Sequence, residues 1–267
     1  PYLCKRGPLE TVEELLLIKG ASLELLFGAD ANRNGVLEPS ERTTGINLDR
    51  GIAPFVTVYS TEANTAADNL IDVNSTATTD LVRLLQETVE SGRLFAVLER
   101  IRRNRPFRNL LDFYVRSGLT IAEFNKIAGR LSAGSRGRTA GLVNAVTAPR
   151  EVLACLPGLD PADVDALIAA RSAQTADLSN IAWVAGALPA NKAAEAGDWI
   201  TVRSFQFSAD ILAVSGDGRA FRRYRAVVDA RTSPPRVLCW QDLTGLGWPL
   251  DREILAGVDL DVRAGEV

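Results

Sequence analysis

Histidine and methionine are both absent from these 267 residues, and cysteine occurs only three times. Without histidine there is no imidazole triad, no imidazole proton shuttle and no histidine metal ligand. Cys4, Cys155 and Cys239 are far apart and odd in number, which excludes a zinc pattern and a disulfide framework and leaves a single pairing open. Cys155 falls in an apolar helical stretch and is expected in the core. An excess of one charge is lacking too. The net charge of −3 gives no global attraction to nucleic acid or anionic lipid. No apolar run is long enough to span a bilayer. With Pro1 first, and neither an initiator methionine nor a signal peptide, the sequence reads as a soluble piece of a longer protein.

Catalytic chemistry is equally sparse. No carboxylate pair has a recognisable catalytic spacing, no glycine-rich phosphate loop follows a strand, and no nucleophile elbow is present. A non-enzymatic role is expected. A periplasmic or surface hydrolase using a cation is a weaker alternative with no general base to name.

What is present is one loop, residues 30–41. Asp30, Asn32, Asn34 and Glu38 put side-chain oxygens at positions 1, 3, 5 and 9 of a calcium loop, and Glu41 closes it at position 12. Gly35 stands at position 6, where the turn needs a positive φ. Val36 would offer its backbone carbonyl, and Leu37 would point into apolar packing. Glu38 would bind directly or through water. Two asparagines lower the ligand charge, so the affinity should suit a calcium-rich compartment. The competing reading is a polar turn without an ion. Arg42-Thr43-Thr44-Gly45 is a poor helix start, so an entering helix without an exiting one is expected.

The hydrophobic pattern predicts helices before strands. A capping box at Thr11-Val12-Glu13-Glu14 opens a short helix stopped by Gly20, and a helical turn at 22–27 feeds the loop. Residues 54–60 are β-branched and aromatic and predict a strand. Helices are predicted over 80–103, 109–116 and 121–131, the last capped by Thr120 and Glu123. A flexible connector is expected at 132–138. Residues 142–171 predict a helix-hairpin-helix, with Asp160 as N-cap and Pro161 at the first helical position. A further short helix is expected between 177 and 188. Strands follow at 198–214, 221–230 and 236–240, with a hairpin turn at 215–218.

The fold class is therefore α+β. Residues 1–53 form a helical segment with the loop, and 54–74 a strand and turn. Residues 75–195 form a mostly helical domain, 196–242 an antiparallel meander, and 243–267 a tail.

A helix-hairpin-helix can grip nucleic acid, which makes a nucleic-acid-binding module the alternative function. Asp160, Asp163 and Asp165 give its end the wrong sign for phosphate. Arg100, Arg102, Arg103, Arg105 and Arg108 read as a solvated helix end before a docking patch. Arg219, Arg222, Arg223 and Arg225 are expected to face outward. Trp199, Phe205, Phe207 and Phe221 are expected in the core. Asp68, Asp72 and Asn74 could hold a second cation, with a polar turn preferred.

Several segments resemble one family. Gly7-Pro8-Leu9-Glu10-Thr11-Val12-Glu13-Glu14-Leu15-Leu16-Leu17-Ile18-Lys19-Gly20 is similar to a segment of general secretion pathway protein K, a minor pseudopilin of the bacterial type II secretion system. The loop and residues 54–60 continue in that family's order. Val143-Asn144-Ala145-Val146-Thr147-Ala148 with Leu156-Pro157-Gly158 resembles its Asn-rich signature, with Val146 in place of the second asparagine. Ile71-Asp72-Val73-Asn74 looks like a weaker earlier copy. Val202-Arg203-Ser204-Phe205-Gln206-Phe207 resembles its first C-terminal strand.

The resemblance implies a pilin-like sheet with a large inserted helical domain and structural calcium. It also implies inner-membrane anchoring through an N-terminal helix absent from this chain, projection into the periplasm, and other minor pseudopilins as partners at the pseudopilus tip. No nucleic-acid partner is expected.

Overall fold

The computed structural model describes residues 6–35, 37, 41, 50–64, 70–133, 137–174, 177–216 and 219–250. The chain mixes helices with small sheets in an α+β arrangement. It divides into two compact units, one made of Pro1–Tyr59 with Phe205–Val267, the other of Ser60–Ser204.

The N-terminal segment begins with a 3₁₀ turn, Val12–Leu17, in place of the capping-box helix. Glu14 reaches back to the Glu10 N–H at 3.1 Å, and Thr11 caps nothing. No residue of the turn is fully buried, so packing adds little to hold it as an α-helix. Helix α1, Leu23–Phe27, follows, with the Ser22 hydroxyl accepting the Leu25 N–H.

The predicted strand at 54–60 does not form. Pro54 sits in a 3₁₀ turn, Ala53–Phe55, closed by a bond from the Phe55 N–H to the Ile52 carbonyl. Proline has no ladder donor, and its fixed φ suits the start of a turn.

The Ser60–Ser204 unit opens with β1 (Thr61–Asn64), which pairs antiparallel with β4 (Gly137–Ala140). That strand occupies part of the expected flexible connector. Between and after these lie two halves of the same plan. In the first, β2 (Ile71–Asp72) leads into α2 (Thr79–Thr88), α3 (Ser91–Asn104), α4 (Leu110–Ser117) and α5 (Ile121–Ala128), and β3 (Leu131–Ser132) returns parallel to β2. In the second, β5 (Val143–Asn144) leads into α6 (Arg150–Ala154), α7 (Pro161–Ser172), α8 (Ala182–Ala187) and α9 (Ala190–Ala196), and β6 (Ile200–Thr201) returns parallel to β5.

Each half starts with the same turn. Asp72 Oδ1 accepts the Asn74 N–H, and Asn144 Oδ1 accepts the Val146 N–H, both at 2.9 Å. One residue into each turn, the Val73 N–H bonds the Ser132 carbonyl and the Ala145 N–H bonds the Thr201 carbonyl. The weak sequence copy at 71–74 is thus matched by backbone geometry.

One continuous core fills this unit, centred on Phe113, Phe124, Leu111, Leu153, Leu167 and Val184. Phe113 meets Phe107 edge-on with ring centroids 5.1 Å apart. The predicted 80–103 helix is two helices broken at Val89 and Glu90. Val89 is extended and buried, Gly92 weakens the helix at the break, and the bend lets α2 pack on α5 and α3 on α4. The capping boxes at Thr120–Glu123 and Asp160–Asp163 both form. Cys155 is exposed rather than core, because α6 stops before it and turns.

Both ends of this unit lie beside one short stretch of chain. The Ser60 hydroxyl donates to the Leu142 carbonyl at 3.0 Å, and Asn144 Nδ2 donates to the Ser204 hydroxyl at 2.7 Å.

The other unit carries a three-stranded antiparallel meander in the order β7 (Gln206–Val214), β8 (Phe221–Asp229) and β9 (Arg236–Asp242), with a bulge opposite Val227 and Val228. Register puts Phe207, Ile211, Tyr224, Val228, Val237 and Trp240 on one face. That face is apolar and open: Phe207 is 55% and Trp240 60% exposed. Phe205 and Phe221 are only partly buried, and Trp199, in the helical unit, is exposed. The expected aromatic core is therefore not there. Alternation fixes the spacing of a strand's apolar residues but not which face the chain covers.

Candidate metal site

Helix α1 delivers the chain to the 30–41 loop, and the loop's base is closed behind it. The Ile52 N–H bonds the Leu25 carbonyl at 3.1 Å. Gly51, at φ +64°, lies so close to the backbone of Leu26 that a Cβ would overlap its carbonyl.

Asp30 is the organising side chain. It is buried, and its two oxygens accept the N–H groups of Asn34 at 3.1 Å and Gly35 at 2.8 Å. Asn32 Oδ1 accepts the same Asn34 N–H at 2.8 Å. Glu41 Oε1 accepts the Asn32 N–H at 3.2 Å, so position 12 is already folded back over position 3. Gly35 adopts φ +85°, as the turn requires. Leu37 is buried, as its place in the motif predicts. Arg33, the loop's own cation, lies over the Phe27 ring at 5.6 Å.

Four of the six expected ligand residues, Asp30, Asn32, Asn34 and Glu41, are thus gathered by one turn. Val36 and Glu38 lie outside the described residues. The donor set is hard oxygen throughout, which fits calcium better than a soft transition metal.

Sequence reasoning missed two contributors. The Arg223 guanidinium, expected to face outward, is 4% exposed and donates to the Asn34 carbonyl at 3.1 Å. Asn34 Nδ2 donates to the Trp248 carbonyl at 3.1 Å. These partners lie 189 and 214 positions away in the sequence, so no local motif could reveal them. Arg223 is held from its other side by Asp210, at 2.8 Å, which also takes two bonds from Arg225. Burial pushes the Asp210 carboxyl up, but the bonds from Arg225 and Arg223 outweigh it and leave it below its ordinary range. On the same face, a hydrogen bond with Cys239, together with burial, raises the Tyr59 phenol to about 12.

The remaining candidates resolve differently. Asp68 lies outside the described residues. Asp72 and Asn74 form the turn described above, with the Asn74 amide bonded to Phe107 and Ala133. In the basic cluster, Arg102 is solvated, Arg105 bonds the Ser75 carbonyl, and Arg108 pairs with Asp198. Arg108, Asn109, Asn180, Asp198 and Arg203 line a cleft of about 240 Å³ between the two halves of the helical unit.

The turn between α6 and α7 keeps its acidic end, but Lys192 bridges Asp160 and Asp163. The Lys192 hydrogen bond lowers the Asp160 carboxyl to about 2. Comparison with protein-family models, curated proteins and solved structures finds no match to this chain.

Proposed function

We propose that this chain is the periplasmic part of a non-enzymatic minor pseudopilin of the general secretion pathway protein K type, working at the tip of a type II secretion pseudopilus. The observation that carries the reading is the interrupted order of the chain. A sheet-bearing unit is built from both ends, and a helical unit of Ser60–Ser204 sits between them in sequence. That order is what the resemblance implies for a pilin-like sheet with an inserted helical domain. The resembling segments at 7–20, 143–158 and 202–207 fall in both units.

The open apolar sheet face at Phe207, Ile211, Val237 and Trp240 supports the same reading. In it, the full-length protein carries an N-terminal hydrophobic helix that anchors in the inner membrane and needs an apolar surface to lie against.

Calcium is structural in this proposal. Asp30, Asn32, Asn34, Glu38 and Glu41 would hold it with their side chains, and Val36 with its carbonyl. The bound ion supplies a fixed double charge that offsets the clustered carboxylates. The chain's own residues do the rest: Asp30 orders the turn, Gly35 bends it and Leu37 ties it to apolar packing. The helix-hairpin-helix at 142–171 is a structural element here. Lys192, against its acidic end, is taken by Asp160 and Asp163, which argues against phosphate binding.

The test uses the full-length protein with its N-terminal helix, mixed with the two neighbouring minor pseudopilins. A complex should co-elute on sizing, and cells lacking the protein should lose export. No complex, with circular dichroism confirming that each protein is folded, would overturn the assignment.

A further inference from the structure

We propose that Arg223, anchored by Asp210 on the sheet, is a positioning residue for the 30–41 loop and sets how well that loop holds its cation. The inference rests on the calcium reading above and extends it from the loop to the sheet.

One arginine fork spans the two. Its Nη1 donates to the Asn34 carbonyl at 3.1 Å, and its Nη2 donates to Asp210 Oδ2 at 2.8 Å. The guanidinium is rigid and planar, so fixing one end fixes the other. Asn34 is the fifth loop position, and its carbonyl belongs to the peptide that runs into Gly35, where the chain reverses. Holding that carbonyl fixes the peptide plane between the fifth and seventh loop positions, both of them expected ligands.

The Asn34 side chain completes the clamp by donating to the Trp248 carbonyl. This gives a chemical reason for asparagine there. Its amide nitrogen donates to the Trp248 carbonyl, whereas aspartate would set a carboxylate against that carbonyl. The loop is thus clamped from β8 and from the segment after β9, and binding at the loop must be linked to the stability of both.

Arg225 is the natural control. It bonds Asp210 through Nε and Nη2 but makes no hydrogen bond to the loop among the described contacts. The experiment compares wild type, R223M, R223K, R225M and D210N. Each is titrated with calcium by calorimetry and followed by amide exchange at Asn34 and Gly35. R223M should weaken calcium binding about tenfold or more, the loss expected for a bond from a charged donor. R225M should stay within about twofold, as for an exposed ion pair. D210N should fall between them, and R223K should recover part of the loss because it retains the charge but not the fork.

Equal losses in R223M and R225M, or no loss in either, would overturn the proposal. If R223M fails to fold, D210N against R225M decides in the same way. If wild type takes up no calcium, the metal reading falls and exchange alone decides. The Gly35 amide should then exchange about tenfold faster in R223M than in R225M, and equal rates would remove the positioning role.

Discussion

Replacing Glu41 by glutamine separates two jobs that one carboxylate does. Its Oε1 accepts the Asn32 N–H at 3.2 Å, which stitches the loop without any ion. As the twelfth loop residue it would also close the cation site with both oxygens. Glutamine keeps the acceptor and loses the charge. E41Q should therefore melt like wild type in chelator and differ from it only in calcium.

The size of the difference follows from the donor set. As ligands of the proposed site, Asp30, Glu38 and Glu41 would supply three carboxylates and Asn32 and Asn34 none, which would place it in the weak class, with a Kd of about 10⁻⁴ to 10⁻³ M. At about 10 mM calcium such a site stabilises the folded state by about 1.4 to 2.7 kcal/mol. For a unit the size of the sheet-bearing one, at roughly 4 °C per kcal/mol, the midpoint should rise by about 6 to 11 °C. Scanning calorimetry with and without chelator reads this directly, and the helical unit's transition serves as an internal reference. E41A should lose the calcium shift and also lower the midpoint in chelator, because the stitch to Asn32 goes with it. A wild-type midpoint indifferent to calcium up to 10 mM would refute the reasoning, as would an E41Q shift equal to wild type.

Other predictions address the frame around the site. Asp229 and Arg231 form a buried ion pair that also bonds Gln206, so D229N should cost about 3 kcal/mol in urea unfolding; a loss under about 0.5 kcal/mol would show the pair to be dispensable. The Asp160 carboxyl, lowered to about 2 mainly by Lys192, contributes stability that is present above about pH 4 and is lost as pH falls toward 2. A carboxyl-carbon NMR titration should find it ionised at pH 3 in wild type and raised in K192M, though still below the ordinary carboxylate value because the Ala162 and Asp163 N–H bonds remain. F113A should destabilise the helical unit by about 4 kcal/mol, because it removes a fully buried ring and its edge contact with Phe107. Phe207→Ser, on the open face, should change urea stability of this chain by less than about 0.5 kcal/mol.

Local chemistry was legible in the sequence, and distant packing was not. The box at Thr120–Glu123 and the N-cap at Asp160 form as read, the latter with Asp163 closing a second box, because an N-cap and its partner lie three residues apart and need no tertiary help. The turn at Asp30–Gly35 forms for the same reason. The box at Thr11 failed in a segment where no residue is fully buried, so tertiary packing adds little to hold an α-helix there. The strand at 54–60 failed because β-branched composition outvoted Pro54, whose ring decides the local backbone. Arg223 looked like any arginine on an alternating strand. Its burial depends on a loop nearly two hundred residues earlier, which alternation cannot report. Phe207 and Trp240 looked like core because strand spacing is the same whether a face is covered or open.

The pinning of both Ser60 and Ser204 beside residues 142–144 has a consequence for how this chain can be cut and rejoined. A unit whose entrance and exit share one doorway makes little demand on the chain that hosts it, because the host has only to bridge a short gap. Joining Tyr59 to Phe205 through a few glycines and serines should leave a sheet-bearing protein that still folds, and Ser60–Ser204 should fold on its own. The two units could then be varied, lengthened or lost separately, with the helical unit behaving as a cassette in a sheet-bearing host.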